Sequence, residues 1–216
     1  MAYSTLSALP KNPSPAQRDT AYESGAEMRT EHVSKHDFLY THRSDSPWVY
    51  QLQEGFVRLG YCGADGEAVT TAFLLPGDYF GNLSLRADTS TEFAQAVTPV
   101  TVRLAPQEDY LPYVMARASR MTVLFQNVHH RLNEVARTIE QMNNRTVKQR
   151  IVDFFRRLGE RIGEPRADCL FIPNFLTHET LGHILNASRQ HVSLRLGELE
   201  QEKVLQYRRR YIKLLK

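Results

Sequence analysis

Between residues 33 and 104, apolar and polar positions alternate in short runs that turn residues keep interrupting. "WVYQLQEGFVRLGYC" (48–62) alternates on either side of Glu54-Gly55, where the pattern predicts a hairpin. "GADGEAVTTAFLLPGDYFGNL" (63–83) sets Asp65-Gly66 between two strand-like runs and then turns at Pro76-Gly77-Asp78. "FAQAVTPVTVRLA" (93–105) alternates again and breaks at Pro99. A period of two in pieces this short, with no long helical run, predicts an all-β barrel or jelly roll.

After Pro106 the period lengthens. Met121, Phe125, Val128, Leu132, Val135, Ile139 and Met142 are spaced alternately four and three residues apart, with no Gly or Pro between them. Arg131, Asn133, Glu134, Arg137, Glu140 and Gln141 fill the intervening positions. That stripe is narrower than a helix packed into its own domain shows, and it predicts self-association through a heptad seam.

The last third changes character again. "RTVKQRIVDFFRRLGERIGEP" (145–165) predicts a helix that buries Ile151, Phe154, Phe155 and Leu158 and closes between Gly159 and Pro165; "CLFIPNF" (169–175) predicts a strand. Thr177 suits an N-cap, Glu179 the first turn, and Leu181, Ile184 and Leu185 the apolar face of a short helix. Asn186-Ala187 supplies a turn, and Ser188 caps a second helix with Val192, Leu196 and Leu199 inward. "VLQYRRRYIKLLK" (204–216) predicts a hairpin tipped by Arg208, Arg209 and Arg210. Helix, tight turn, helix and basic hairpin make a winged helix-turn-helix. The class is therefore α+β: a polar arm over 1–25 with Pro10, Pro13 and Pro15, a β domain over 26–110, a dimerisation helix over 111–144 and the winged unit over 145–216.

Charge sharpens this division. Residues 145–216 carry 15 Lys+Arg against 8 Asp+Glu, a net of +7, while the remainder carries −4. A basic C-terminal third behind a dimer helix predicts a polyanionic partner, double-stranded DNA. With Val192, Leu196 and Leu199 turned inward, Ser188, Arg189, Gln190, Ser193 and Leu194 line the outward start of the second helix. Their guanidinium, amide and hydroxyl groups suit base edges in a major groove. Cys62 and Cys169 form no CxxC, which argues against a disulfide framework and against cysteine-held zinc or iron–sulfur. No HxH pair of the kind a jelly-roll metalloenzyme needs, no nucleophile–base arrangement and no phosphate loop is present, so neither an enzyme nor a metal site is expected. The N-terminus lacks a secretory pattern and no run is long enough to span a bilayer, which predicts a cytoplasmic protein without membrane partners.

"GDYFGNL" (77–83), the long helix and "LTHETLGHILNASRQHVSLRLGELEQEKVL" (176–205) together resemble the catabolite-activator and fumarate-nitrate-reduction regulator (CRP/FNR) family from about residue 28 onward. The resemblance implies a cyclic-nucleotide-binding-like jelly roll, a homodimer and a transcription factor, an activator working at promoters with RNA polymerase. It places Thr177, His178 and Glu179 against DNA phosphates, although the family often carries Gln where Glu179 stands. Arg189 matches an arginine that reads guanine, Gln190 replaces a usual Glu, Ser193 matches a small or polar reading position, and Leu194 replaces a second arginine of some members. In cAMP-responsive members the pocket has Gly-Glu-Leu and then Arg-Ser; here Gly81-Asn82-Leu83 and Glu92-Phe93 stand there, and Val135-Ala136 offers no hydroxyl to the base. An acid at the phosphate position repels it, so the pocket is expected to be degenerate, with cAMP not expected as effector and no cofactor expected. The alternative is a regulator gated by another small ligand, or by haem through His32, His36 or His42 in the β domain.

Overall fold

The computed structural model describes residues 28–41, 46–63, 67–83 and 92–215. The proline-bearing arm, His42 and the Asp65-Gly66 turn lie outside the described residues. The described chain forms two compact units, one ending at Glu140 and the other beginning at Gln141.

The first unit is a jelly roll. One antiparallel sheet contains β1 (Arg29–Val33), β8 (Val100–Pro106), β3 (Trp48–Glu54) and β6 (Tyr79–Gly81), paired in that order. The facing sheet contains β2 (Phe38–Tyr40), β7 (Glu92–Ala96), β4 (Val57–Cys62) and β5 (Ala68–Leu74). Tyr50, Leu52, Phe80, Val102 and Leu104 from the first sheet meet Tyr40, Val57, Leu59, Leu74 and Ala94 from the second in one core. Alternation puts every second residue there, as it must in a two-sheet sandwich.

The predicted hairpin at Glu54-Gly55 does not form. β3 pairs with β6 and β8, whereas β4 pairs with β5 and β7, so the chain crosses between sheets at this point. Gly55 makes the crossing with a φ of +83°, and a Cβ there would lie 2.3 Å from the Pro99 carbonyl oxygen. The return crossing at Thr98-Pro99 is laced to it: Phe56 N–H donates to Thr98 Oγ1 at 3.0 Å, and Val97 N–H donates to Phe56 O at 2.8 Å. Alternation specifies which face of a strand is buried but not which neighbour it pairs with.

Two helices, not one, follow the roll. α1 (Gln107–Met115) buries Tyr110 and Val114, and α2 (Ala118–Asn144) contains all seven seam positions and no buried residue. The expected domain boundary at 110/111 therefore falls inside α1. Among the described residues, no helix is long and apolar enough to cross a membrane.

The second unit packs α3 (Val147–Ile162), α4 (His178–Leu185) and α5 (Arg189–Gln201) with a four-stranded sheet. That sheet runs β11 (Leu205–Tyr207), β12 (Tyr211–Leu215), β10 (Cys169–Pro173) and β9 (Glu164–Pro165). Thr146 opens α3 with a capping box closed by Gln149. The helix continues through Gly159 to Ile162, three residues beyond the start of its expected closing stretch. A single glycine costs a helix only about 1 kcal/mol, less than its buried Phe154, Phe155 and Leu158 supply. The tip hairpin is not isolated, because β12 also pairs with β10 from Cys169 to Pro173.

Candidate nucleic-acid interface

The tight turn between α4 and α5 is built from local chemistry. Thr177 Oγ1 accepts from Thr180 N–H at 3.1 Å and opens α4. Asn186 ends that helix in the left-handed region at φ 50°, and Ala187 N–H donates back to Gly182 O at 2.9 Å. Gly182 allows this close return, since a Cβ there would lie 2.7 Å from the Ala187 carbonyl oxygen. Ser188 Oγ then accepts from His191 N–H at 3.2 Å and opens α5. Arg150 of α3 donates to the carbonyls of Leu185 at 2.6 Å and Asn186 at 3.3 Å, placing a cation on the C-terminal end of α4. Burial pulls the Arg150 pKa below its ordinary value.

Val192, Leu196 and Leu199 are buried, which fixes the rotation of α5. Ser188, Arg189, Gln190, His191, Ser193 and Leu194 are consequently exposed along its first two turns. Leu194 is 56% exposed, a large apolar side chain on an otherwise polar face. The remaining expected contacts divide. Thr177 is exposed but its hydroxyl already serves as a cap, and half-buried His178 packs its ring 5.2 Å from that of Tyr207. Tyr207 Oη donates to Leu176 O at 2.6 Å, and burial raises its pKa above that of an ordinary phenol. Arg208, Arg209 and Arg210 sit at the β11–β12 tip, all exposed, but Arg208 is ion-paired with Glu200.

Sequence reasoning passed over a cleft of about 440 Å³ lined by Thr146, Val147, Lys148, His191, Arg195 and Glu198. Its cations are partly neutralised: Arg195 pairs with Glu198, and Lys148 with Glu202 at 2.5 Å. Residues from the start of α3 and from α5 meet there although they are 43 to 52 positions apart in the chain, so no local pattern signals it.

In the β domain, the interior is occupied by aromatic rings. Tyr50 stacks on Phe80 at 5.1 Å between centroids, and Tyr40 lies 5.6 Å from Tyr50 and 6.3 Å from Phe80. Gly81 bends with φ +90°, Asn82 Oδ1 accepts from Gln107 Nε2 of α1 at 3.2 Å, and Leu83 packs on the cluster around Tyr110 and Val114. Phe93 is buried beneath the Arg58 guanidinium, 4.9 Å from its centroid. Glu92 is also buried, yet it does not stand as an uncompensated acid. Tyr40 Oη donates to it at 2.5 Å and Arg131 of α2 forms an ion pair with it. In the sequence, Arg131 is one more polar position beside the seam. His32 and His36 are exposed, His32 sharing a hydrogen bond of 3.1 Å with Thr101.

Two family models match the chain: a cyclic nucleotide-binding domain over residues 30–117 and a Crp-like helix-turn-helix domain over residues 149–216. The global nitrogen regulator of Synechococcus elongatus is 30% identical over 160 residues, covering 73% of this chain and 72% of that protein. The transcriptional regulator SdrP of Thermus thermophilus is 26% identical over 154 residues, 71% of this chain and 72% of its own length. The solved structure of FixK2 from Bradyrhizobium japonicum shares the fold, with a TM-score of 0.75 at 22% identity over 87% of this chain and 92% of that one.

Proposed function

The chain belongs to the CRP/FNR family of DNA-binding transcription regulators, and on that premise we propose that it works as a homodimer that reads a two-fold promoter site through α5 and activates transcription there with RNA polymerase. The observation that carries this reading is the outward face of α5, where Arg189, Gln190 and Ser193 are exposed while Val192 and Leu196 anchor the helix from behind. An Arg fork suits the O6 and N7 of guanine, and an amide suits adenine. The supporting surface for the dimer is the seam of α2: Phe125, Val128, Leu132, Ile139 and Met142 are between 45% and 65% exposed in the single chain. Five large apolar residues in heptad register are a partner surface for a second copy of the same helix.

Cyclic AMP is not assigned as effector. Asn82 is engaged by Gln107, Tyr40, Tyr50 and Phe80 pack together in the roll interior, and Arg131 is already taken by the carboxylate of Glu92. The test is selection of bound duplexes from a random library by the full chain without added nucleotide. The expected result is a two-fold site with half-site centres about one helical turn, ~34 Å, apart. Absence of any preferred duplex defeats the reading.

A further inference from the structure

We propose that Arg131 and Tyr40 form a carboxylate-binding site which the chain fills with its own Glu92, so that the β roll is clamped to α2 by a built-in anion in place of a diffusible one. The Glu92 side chain is 5% exposed and that of Arg131 23%, so the pair is largely withdrawn from water. Tyr40 supplies a hydrogen bond of 2.5 Å to the same carboxylate. Tyr40 and Glu92 lie on the adjacent strands β2 and β7, and Arg131 reaches them from the helix.

A carboxylate buried in this way gains little stability over an apolar side chain, but it is costly to leave unpaired. What it fixes is position. α2 contains no buried residue of its own, and beyond the packing near its start a second tie to the roll is the Thr138 hydroxyl donating to Thr71 O at 3.2 Å. The Arg131 contact therefore sets which face of α2 meets the roll and which face presents Phe125, Val128 and Leu132 outward. Tyr40, Tyr50 and Phe80 crowd the interior beside it, so the space left by removing the Glu92 side chain suits only a small monocarboxylate.

The experiment is chemical rescue in the full chain, and it rests on the proposed function only where DNA affinity is read. Glu92→Gly is expected to lower the melting temperature by at least about 5 °C. It should also weaken DNA binding about tenfold, within the 5–150-fold span of ordinary couplings between sites. Sodium formate, compared with sodium chloride at equal ionic strength, should restore part of both losses in Glu92→Gly and neither in Arg131→Gln nor in the wild type. Glu92→Gln keeps the shape and the acceptor for Tyr40 but drops the charge facing Arg131; it should fall in both readouts and decides the matter if the glycine variant does not fold. Formate acting no differently from chloride on a folded Glu92→Gly overturns the proposal, as does a Glu92→Gln that matches the wild type. Melting that responds while DNA affinity stays unchanged overturns the clamp. A wild type that binds no duplex counts against the DNA reading alone, because the melting arm stands without it.

Discussion

At the scale of single residues, the proposed base reading turns on the difference between an amide and an acid. A carboxylate at position 190 would only accept hydrogen bonds and favour the amino group of cytosine, whereas a glutamine amide both donates and accepts and so suits the N7 and N6 of adenine. Gln190→Glu should therefore shift the preferred base at its facing position by about 1–3 kcal/mol, and Arg189→Ala should relax the guanine by a similar amount. Binding-site selection on each variant measures this, and identical preferences for wild type and Gln190→Glu would mean that Gln190 reads nothing. Leu194 offers no hydrogen bond, so the base pair it faces should be weakly selected. These outward residues were legible because their buried neighbours Val192, Leu196 and Leu199 announce themselves every three or four positions. Arg131 was not, since one arginine beside a heptad seam has the same pattern whether it meets water or a buried acid.

At the scale of elements, α2 and the wing make opposite demands. Leu132 is exposed and Val135 half-buried in the single chain, and neither belongs to a buried core, so Leu132→Asp with Val135→Asp should leave each unit folded while removing the dimer. Each apolar side chain buried across such a seam is worth roughly 1.5–3 kcal/mol. Sedimentation at micromolar concentration tests this: a monomeric wild type, or a double variant that still dimerises, refutes the seam. In the wing, burial raises the Tyr207 pKa, and the neutral hydroxyl makes the bond to Leu176. A raised folded pKa means that this contribution is complete below the unfolded value of about 10 and is lost as pH climbs through the folded one. Denaturant unfolding should show steady stability to about pH 9 and a fall above ~10, with Tyr207→Phe about 1 kcal/mol less stable at neutral pH and falling less steeply in alkali. Parallel alkaline losses in the two proteins would assign the titration elsewhere. The wing itself was readable from its arginine-tipped alternation, whereas the joining of β12 to β10 was not, because the two strands are separated by two helices.

At the scale of the whole molecule, one basic unit follows one acidic remainder, and affinity for DNA should fall with salt. Removing a single side chain that neutralises a phosphate should reduce the slope of log K against log salt by about 0.9. Arg209→Ala and Arg210→Ala should each show such a change, and Arg208→Ala a smaller one, since Glu200 already neutralises that side chain. Equal slopes for all three variants and the wild type would remove the wing tip from the interface. Added cAMP should move neither melting nor affinity; a ligand at a hundred times its Kd would add about 2.7 kcal/mol, which melting detects easily.

The outer strand of the roll has a consequence for synthesis. β1 pairs with β8, Arg29 against Leu104 and Val33 against Val100. β1 thus waits for β8 before it gains its partner in that sheet, and at roughly 5–20 residues per second the interval is several seconds. During it, strands β3 to β5 already carry the core's apolar side chains with no facing sheet complete. The winged unit closes over shorter separations and is made after the roll. A nascent chain of this protein therefore exposes apolar strand faces and unpaired edges before α2 has been made, which is when it is most prone to aggregate.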